Sequence, residues 1–249
     1  MRSLWPGGFI IMEKSKAGID RDGIILAIDT TTPAGGVAIL RGPKLLSEIN
    51  QDSATTFSER LLPSVQFLLH ANGLKIQDVE GFAVAVGPGS FTGIRIGLST
   101  VKSFAYASGK PVAPVSTLSA LSHKLRHPQN RLICPLLDAK KNEIYGALFE
   151  SRDNILHEVI SQGAYSPDAF FPLLPTHRII HFIGSGVDIH SVLLFQYFRD
   201  KARLSKRSPF IAHEVGLLGY EMLRQKKGVN IHDVQPLYFR KSQAEEKNQ

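Results

Sequence analysis

Cysteine is nearly absent from this chain. Cys134 is the only one among 249 residues, so no disulfide closes within the chain and a reducing compartment is expected. Long apolar runs are missing as well. No uninterrupted stretch approaches the roughly 18–20 residues that a bilayer-spanning helix needs. The short run Leu4–Ile11 is broken by Pro6-Gly7-Gly8 and is followed by no small-residue cleavage site, which argues against a secretory leader. Catalytic constellations are equally scarce. His123 and His127 have the spacing of two metal ligands on a helix, but an expected helix end and Pro128 separate them. Cys134 lies inside an apolar strand, where a thiol is filler, and no Ser-His-Asp or Cys-His order can be assigned.

What is present centres on Phe82–Val86, an apolar run that reads as a buried strand, followed by Gly87-Pro88-Gly89-Ser90-Phe91-Thr92-Gly93-Ile94-Arg95. This is a strand, a turn and the start of a helix, with Ser90 or Thr92 as the cap. Such a turn aims backbone donors at an anion or at a neighbouring backbone. No Walker lysine follows, and the glycine spacing is not that of a dinucleotide site. The helix carries a small-residue track (Gly93, Gly97, Thr100, Ala107) and an apolar stripe (Ile94, Leu98, Val101, Ala105), so it is expected to touch two neighbours closely.

At 43% apolar residues the chain can build a proper core. Its net charge of +7 permits RNA contact, but the excess is spread over both halves in short clusters that read as solvated surface. Residues 1–22 read as a polar-ended extension, with Met12 as an alternative start. Strand Ile24–Asp29 then ends in a carboxylate, Thr30-Thr31-Thr32 turns the chain, and strands Val37–Leu40 and Leu45–Ile49 complete a meander. Asp29 either presents its carboxylate to phosphates and their metal, as in actin-like ATPases, or caps its own turn. Leu61, Leu62, Val65, Leu68 and Leu69 define a helix begun near Thr56 or Ser58, and Phe67 lies outside its arc, which hints at a second buried side. Strand Val112–Val115 and a helix capped by Ser116-Thr117 close a first lobe over residues 23–126.

A second lobe is expected over 127–241. Leu132–Leu137 ends in Asp138, and Ile144–Phe149 returns across Ala139-Lys140-Lys141-Asn142, repeating the opening plan. Strands Ile155–Ile160 and Ile179–Ile183, helices Val187–Phe198 and Ile211–Arg224, and the extended piece Pro236-Leu237-Tyr238-Phe239 follow. Residues 242–249 read as a disordered tail.

Together, Leu26-Ala27-Ile28-Asp29-Thr30-Thr31-Thr32, the stretch Gly87 to Leu98, Val115-Ser116-Thr117-Leu118, Leu137-Asp138-Ala139-Lys140 with Glu143-Ile144-Tyr145, and Pro236-Leu237-Tyr238-Phe239-Arg240 resemble the TsaB family, also called YeaZ-type proteins. The match spans about Ile24 to Glu245. The resemblance implies an actin-like ATPase (ribonuclease H-like) fold of α/β class, with two lobes of mixed sheet and the second reduced. It also implies a cytoplasmic, non-catalytic subunit that supports TsaD in forming threonylcarbamoyladenosine at position thirty-seven of tRNAs reading codons that begin with A. TsaD would be the heterodimer partner, a TsaE-type ATPase the helper, a homodimer the state of the chain alone, and tRNA an indirect partner through the complex. ATP and metal would sit on those partners, with no cofactor or metal on this chain.

The site residues implied are a vestigial phosphate turn (Asp29, Thr30, Thr31, Thr32, Asp138), the motif turn (Gly87, Pro88, Gly89, Ser90, Phe91, Thr92, Gly93, Arg95) and a partner interface. The interface would use Leu61, Leu62, Val65, Phe67 and Leu69 of one helix with Gly93, Gly97, Thr100 and Phe104 of the next. Ala139-Lys140-Lys141 replaces the glycine and hydroxyl that active actin-like kinases use in the second turn. Phe57 stands where the family usually has His. The alternative function is an independent small-molecule kinase or metallopeptidase of the same fold, which would keep intact phosphate turns or a metal cluster.

Overall fold

The computed structural model describes residues 18–52 and 57–240. Two five-stranded sheets carry the fold. The first is built from β1 (Ile24–Asp29), β2 (Ala34–Arg41), β3 (Lys44–Asp52), β4 (Gly81–Gly87) and β5 (Val112–Ser116), in the order β3-β2-β1-β4-β5. The second contains β6 (Arg131–Lys140), β7 (Glu143–Arg152), β8 (Ile155–Tyr165), β9 (Ile180–Ile183) and β10 (Ala202–Leu204), in the order β10-β9-β6-β7-β8. The two orders are the same plan. In each sheet the first three strands form an antiparallel meander, and the last two run parallel to the first. A doubled sheet of this order with helices packed on it is the actin-like arrangement, as expected.

Three apolar layers hold it together. On the outer face of the first sheet, α1 (Phe57–Ala71) and α2 (Phe91–Ser108) bury Leu61, Val65, Leu68, Ile94, Leu98 and Val101 against Leu26, Ile28, Phe82 and Val84. Each such side chain, fully buried, contributes about 1.5–3 kcal/mol. Ser90 caps α2 by accepting from Gly93 N, and Gly109 ends it in the left-handed conformation (φ 66). Between the sheets lie α3 (Thr117–His123) and α7 (Ala212–Arg224), whose apolar sides share one core with Ile25, Leu40, Ala83, Ile133, Tyr145 and Ile183. The outer face of the second sheet is covered by the short helices α4 (Pro167–Phe170), α5 (Ser185–Ile189) and α6 (Ser191–Phe198), around Phe170, Phe171, Phe182 and Phe198.

Several expectations need correction. The boundary at residue 127 does not partition the chain, because α7 returns from the second half to pack on β1, β2, β4 and β5 of the first sheet. Its apolar side is what covers the Ala-rich inner face of that sheet. Residues 18–22 are part of the fold rather than an extension: Ile19 is buried in the central core and Asp20 N donates to Glu80. The helix expected over 187–198 is two, divided at His190, and edge strand β10 carries no period long enough to read. Met12, the tail 242–249 and the Thr56 cap lie outside the described residues.

Candidate functional site

Asp29 ends β1 opposite Gly36 and is fully buried. Its Oδ1 accepts from Thr31 N at 2.9 Å and from Thr31 Oγ1 at 2.7 Å, the pattern of a carboxylate capping its own turn. Oδ2 finds no donor among the described residues. Burial raises the Asp29 pKa to about 6, against the two Thr31 hydrogen bonds that lower it. Thr32 Oγ1 donates to Ala34 O at 3.0 Å and so closes the same turn.

The motif turn lies directly on this one. Ser90 N donates to Thr31 O at 2.7 Å, and Thr30 Oγ1 donates to Gly93 O at 2.7 Å. The small residues are dictated by that approach. A Cβ on Gly93 would overlap Thr30 O, and one on Gly97 would overlap Thr30 Oγ1. The Ser90 amide is therefore committed to a neighbouring backbone. Gly93 and Gly97 accordingly do not belong to a partner interface; these two glycines of the small track seat the Asp29 turn, while Ala107 at its far end is exposed.

Other expected interface residues divide in the same way. Leu61, Val65 and Leu69 are buried against the first sheet, whereas Leu62 and Phe67 are 53% and 65% exposed. Thr100 and Phe104 are half-buried, and the Phe104 ring stacks on Phe82 with centroids 6.0 Å apart. Tyr106, absent from the sequence-based set, is 77% exposed on α2. Over residues 18–126, Leu62, Phe67 and Tyr106 are the exposed large apolar side chains among those described, and all three lie on α1 or α2. Phe57 opens α1 with its ring against Gly35 and the Arg60 guanidinium 4.1 Å above it.

The second turn is built differently. Asp138 Oδ1 accepts from Lys140 N at 2.8 Å, and Oδ2 pairs with Lys140 Nζ at 2.6 Å. Partial burial works to raise the Asp138 pKa, but the Lys140 hydrogen bonds and charge outweigh it and hold the carboxyl below its usual value. Lys140, Lys141 and Asn142 all take positive φ (63, 52 and 58), a tight reversal that places the Lys140 amine on the carboxylate.

A C-terminal strap joins the two turns. Leu237 N donates to Val86 O at 2.7 Å, the Tyr238 ring lies 4.5 Å from Phe91, and Arg95 Nε donates to Tyr238 Oη at 3.1 Å. Two residues later Arg240 donates to Ala139 O at 2.6 Å and pairs with Glu143 at 3.0 Å. Sequence reading marked this segment as a motif but gave it no partner, since nothing local announces a contact 143 residues away between Arg95 and Tyr238.

Among the described residues no group of three His, Cys, Asp or Glu side chains is placed to hold a metal ion. The His123 ring is buried, and burial followed by the charges of Arg126, His213 and Lys124 lowers its pKa to about 4. His127 Nδ1 instead accepts from Gln129 N at 3.1 Å. His177 and His181 are also four residues apart, but one precedes β9 and the other lies within it, so no helix brings them together. Cys134 is fully buried, and burial pushes its thiol well above the usual range.

The family model described as TsaD, tRNA N6-adenosine threonylcarbamoyltransferase, matches residues 47–247. Over 226 residues the chain is 30% identical to the tRNA threonylcarbamoyladenosine biosynthesis protein TsaB of Bacillus subtilis, spanning 90% of this chain and 96% of that protein. The chain belongs to the TsaB family. The Escherichia coli TsaB protein is 26% identical over 232 residues, covering 88% of this chain and 96% of its own. Among solved structures, YeaZ from Pseudomonas aeruginosa superposes with a TM-score of 0.72 at 25% identity, over 87% of this chain and 99% of that one. Each of these relatives is matched along nearly its whole length.

Proposed function

We propose that this chain takes part in tRNA threonylcarbamoyladenosine biosynthesis as a non-catalytic subunit that docks on TsaD through α1 and α2. The observation that carries the docking reading is the confinement of the exposed apolar side chains of residues 18–126 to these two helices, at Leu62, Phe67 and Tyr106. Two neighbouring helices on one sheet face offer a ridge that a related fold matches with its own pair, and self-pairing would use the same surface when TsaD is absent. The two Asp turns support the non-catalytic part. Asp29 is sealed under the motif turn, and Lys140 sits where a phosphate or metal would approach Asp138. ATP and metal then belong to TsaD and a TsaE-type ATPase, and this chain carries no cofactor of its own. No described helix is long and apolar enough to cross a membrane.

The test is the double variant Leu62→Asp and Phe67→Asp. Both side chains are exposed, so the melting temperature is expected to hold, while TsaD affinity falls at least about ten-fold, as for loss of interface anchors. Reconstituted tRNA modification should fall with it. A folded double variant that binds TsaD with wild-type affinity rejects the docking face. Steady ATP hydrolysis by the purified chain that disappears in Asp29→Ala rejects the non-catalytic reading.

A further inference from the structure

Strand direction gathers, at one end of the second sheet, cations that are far apart in sequence. Because β6, β9 and β10 run parallel, Arg131, Arg178 and Lys201 stand together at their N-terminal ends, and antiparallel β7 delivers Arg152 to the same place. On the face toward α3, the register sets Ile133 beside His181 and His181 beside Arg203, while Arg131, two residues before Ile133, shares that face.

The two guanidiniums there are held by neutral groups. Arg131 Nη1 donates to Leu125 O at 3.2 Å, and Arg203 Nη1 donates to Asp200 O at 2.6 Å and Ala202 O at 3.2 Å. Carbonyl contacts fix the orientation of a guanidinium without cancelling its charge. Of the carboxylates nearby, Glu150 is paired with Arg152 and Arg178, and Asp200 with Lys201 at 2.8 Å; Asp200 also feels the Arg203 charge, which adds to Lys201 in holding its carboxyl below the usual value. His181, half-buried between them, has its pKa lowered by burial and then by Arg131, Arg203 and His127, so these cations act on one another in a shared space.

We propose that this end of the second lobe, centred on Arg131 and Arg203, binds the phosphate backbone of RNA. Pre-oriented guanidiniums on an exposed sheet end suit a chain of phosphates rather than a single small anion, and forked donors match phosphate oxygens in pairs. The chain's net charge of +7 adds long-range attraction for such a partner. The choice of RNA rests on the tRNA-modification reading above; it does not rest on the TsaD-docking face, which is on the first lobe.

The full chain alone is titrated with a labelled, unmodified tRNA transcript between 50 and 200 mM KCl, following anisotropy. Arg203→Glu is compared with Arg41→Glu, an exposed arginine at the corresponding end of the first sheet. Arg203→Glu is expected to weaken binding about ten-fold and to reduce the slope of log affinity against log salt by about one, while Arg41→Glu stays within about two-fold of wild type. Arg203→Gln, which removes the charge without reversing it, keeps the comparison readable if the Glu variant melts early. Absence of tRNA binding by the wild-type chain at 50 mM KCl overturns the proposal, as does equal weakening by the two Glu variants. So does competition by polyglutamate as effective as that by unlabelled tRNA, which would point to an acidic protein. Loss of tRNA modification in reconstitution without the chain, alongside unchanged binding by Arg203→Glu, would keep the functional reading and reject this surface.

Discussion

Asp29 and Asp138 occupy equivalent turns, each at the junction of the first two strands of a sheet with the same strand order. Their surroundings diverge. Asp29 is buried with its charge opposed by desolvation, and its neighbours are backbone and threonine hydroxyls. Asp138 keeps contact with solvent and is neutralised by an amine two residues away. One hairpin has thus become a packing element under the motif turn, and the other a surface loop closed by its own lysine. The Asp29 turn takes up Oδ1 and leaves Oδ2 without a donor among the described residues, whereas Lys140 takes up both oxygens of Asp138, and the two carboxyls shift in opposite directions.

The sharpest way to break the first arrangement is steric. In Gly93→Val the new side chain meets the Thr30 carbonyl, which is backbone and has little room to yield. The expected loss is about 3 kcal/mol, at the upper end of overpacking penalties, and equilibrium urea unfolding measures it. A near-wild-type Gly93→Val would mean that the two turns are not locked together.

The next effect is a pH dependence confined to Asp29. Its folded pKa, about 6, lies above its ordinary value of 3.8. Its contribution is therefore fully present below pH 4 and is lost as pH rises through 6. Asp29→Asn cannot titrate, so the stability difference between wild type and variant should move by about 2–3 kcal/mol in favour of the variant between pH 4 and pH 8. Parallel stability curves for the two proteins would place the Asp29 carboxyl in a far more polar setting.

A smaller loss is expected where the strap crosses between the turns. Arg240→Ala removes a charged hydrogen bond to Ala139 O and the pair with Glu143, worth about 1–2 kcal/mol together. Hydrogen exchange in the β6–β7 hairpin should rise more than in β1–β2; equal rises would show that the strap does not tie the second turn. Smallest of all is Lys140→Ala. Its side chain is 82% exposed, so the pair with Asp138 contributes about 0–1 kcal/mol, and the thermal midpoint should shift little at pH 7. The Asp138 share is present above pH 4 and disappears as pH falls through its lowered folded pKa. A shift as large as that of Gly93→Val would show that the second turn, too, is structural.

Local chemistry was legible where one segment decides the outcome. The carboxylate at the end of β1, the Ser90 cap and the repeat of the strand, Asp and turn plan follow from residues within a few positions of one another. Contacts between distant segments were not. The glycine track on α2 was visible as a close-contact face, but periodicity names a face and leaves its neighbour open; here the neighbour is Thr30, from the same chain. Likewise the α1 arc splits into Leu61, Val65 and Leu69 turned inward and Leu62 turned out, and Phe67, expected on a second buried side, is exposed instead, a division set by where the sheet lies. The basic cluster at Arg131 and Arg203 was invisible for a related reason, since only the strand order makes those residues neighbours.

The return of α7 to the first sheet also bears on how the polypeptide is made. Translation delivers β1 to β5 first, but the inner face of that sheet, with Ala27, Ala83 and Ala113, waits for Ala212, Val215 and Leu223 about a hundred residues later. A nascent chain halted after residue 126 would therefore expose an apolar surface that only its own unsynthesised end can cover. The first lobe is thus made before the helix that covers its inner face, which makes it a poor unit for separate expression.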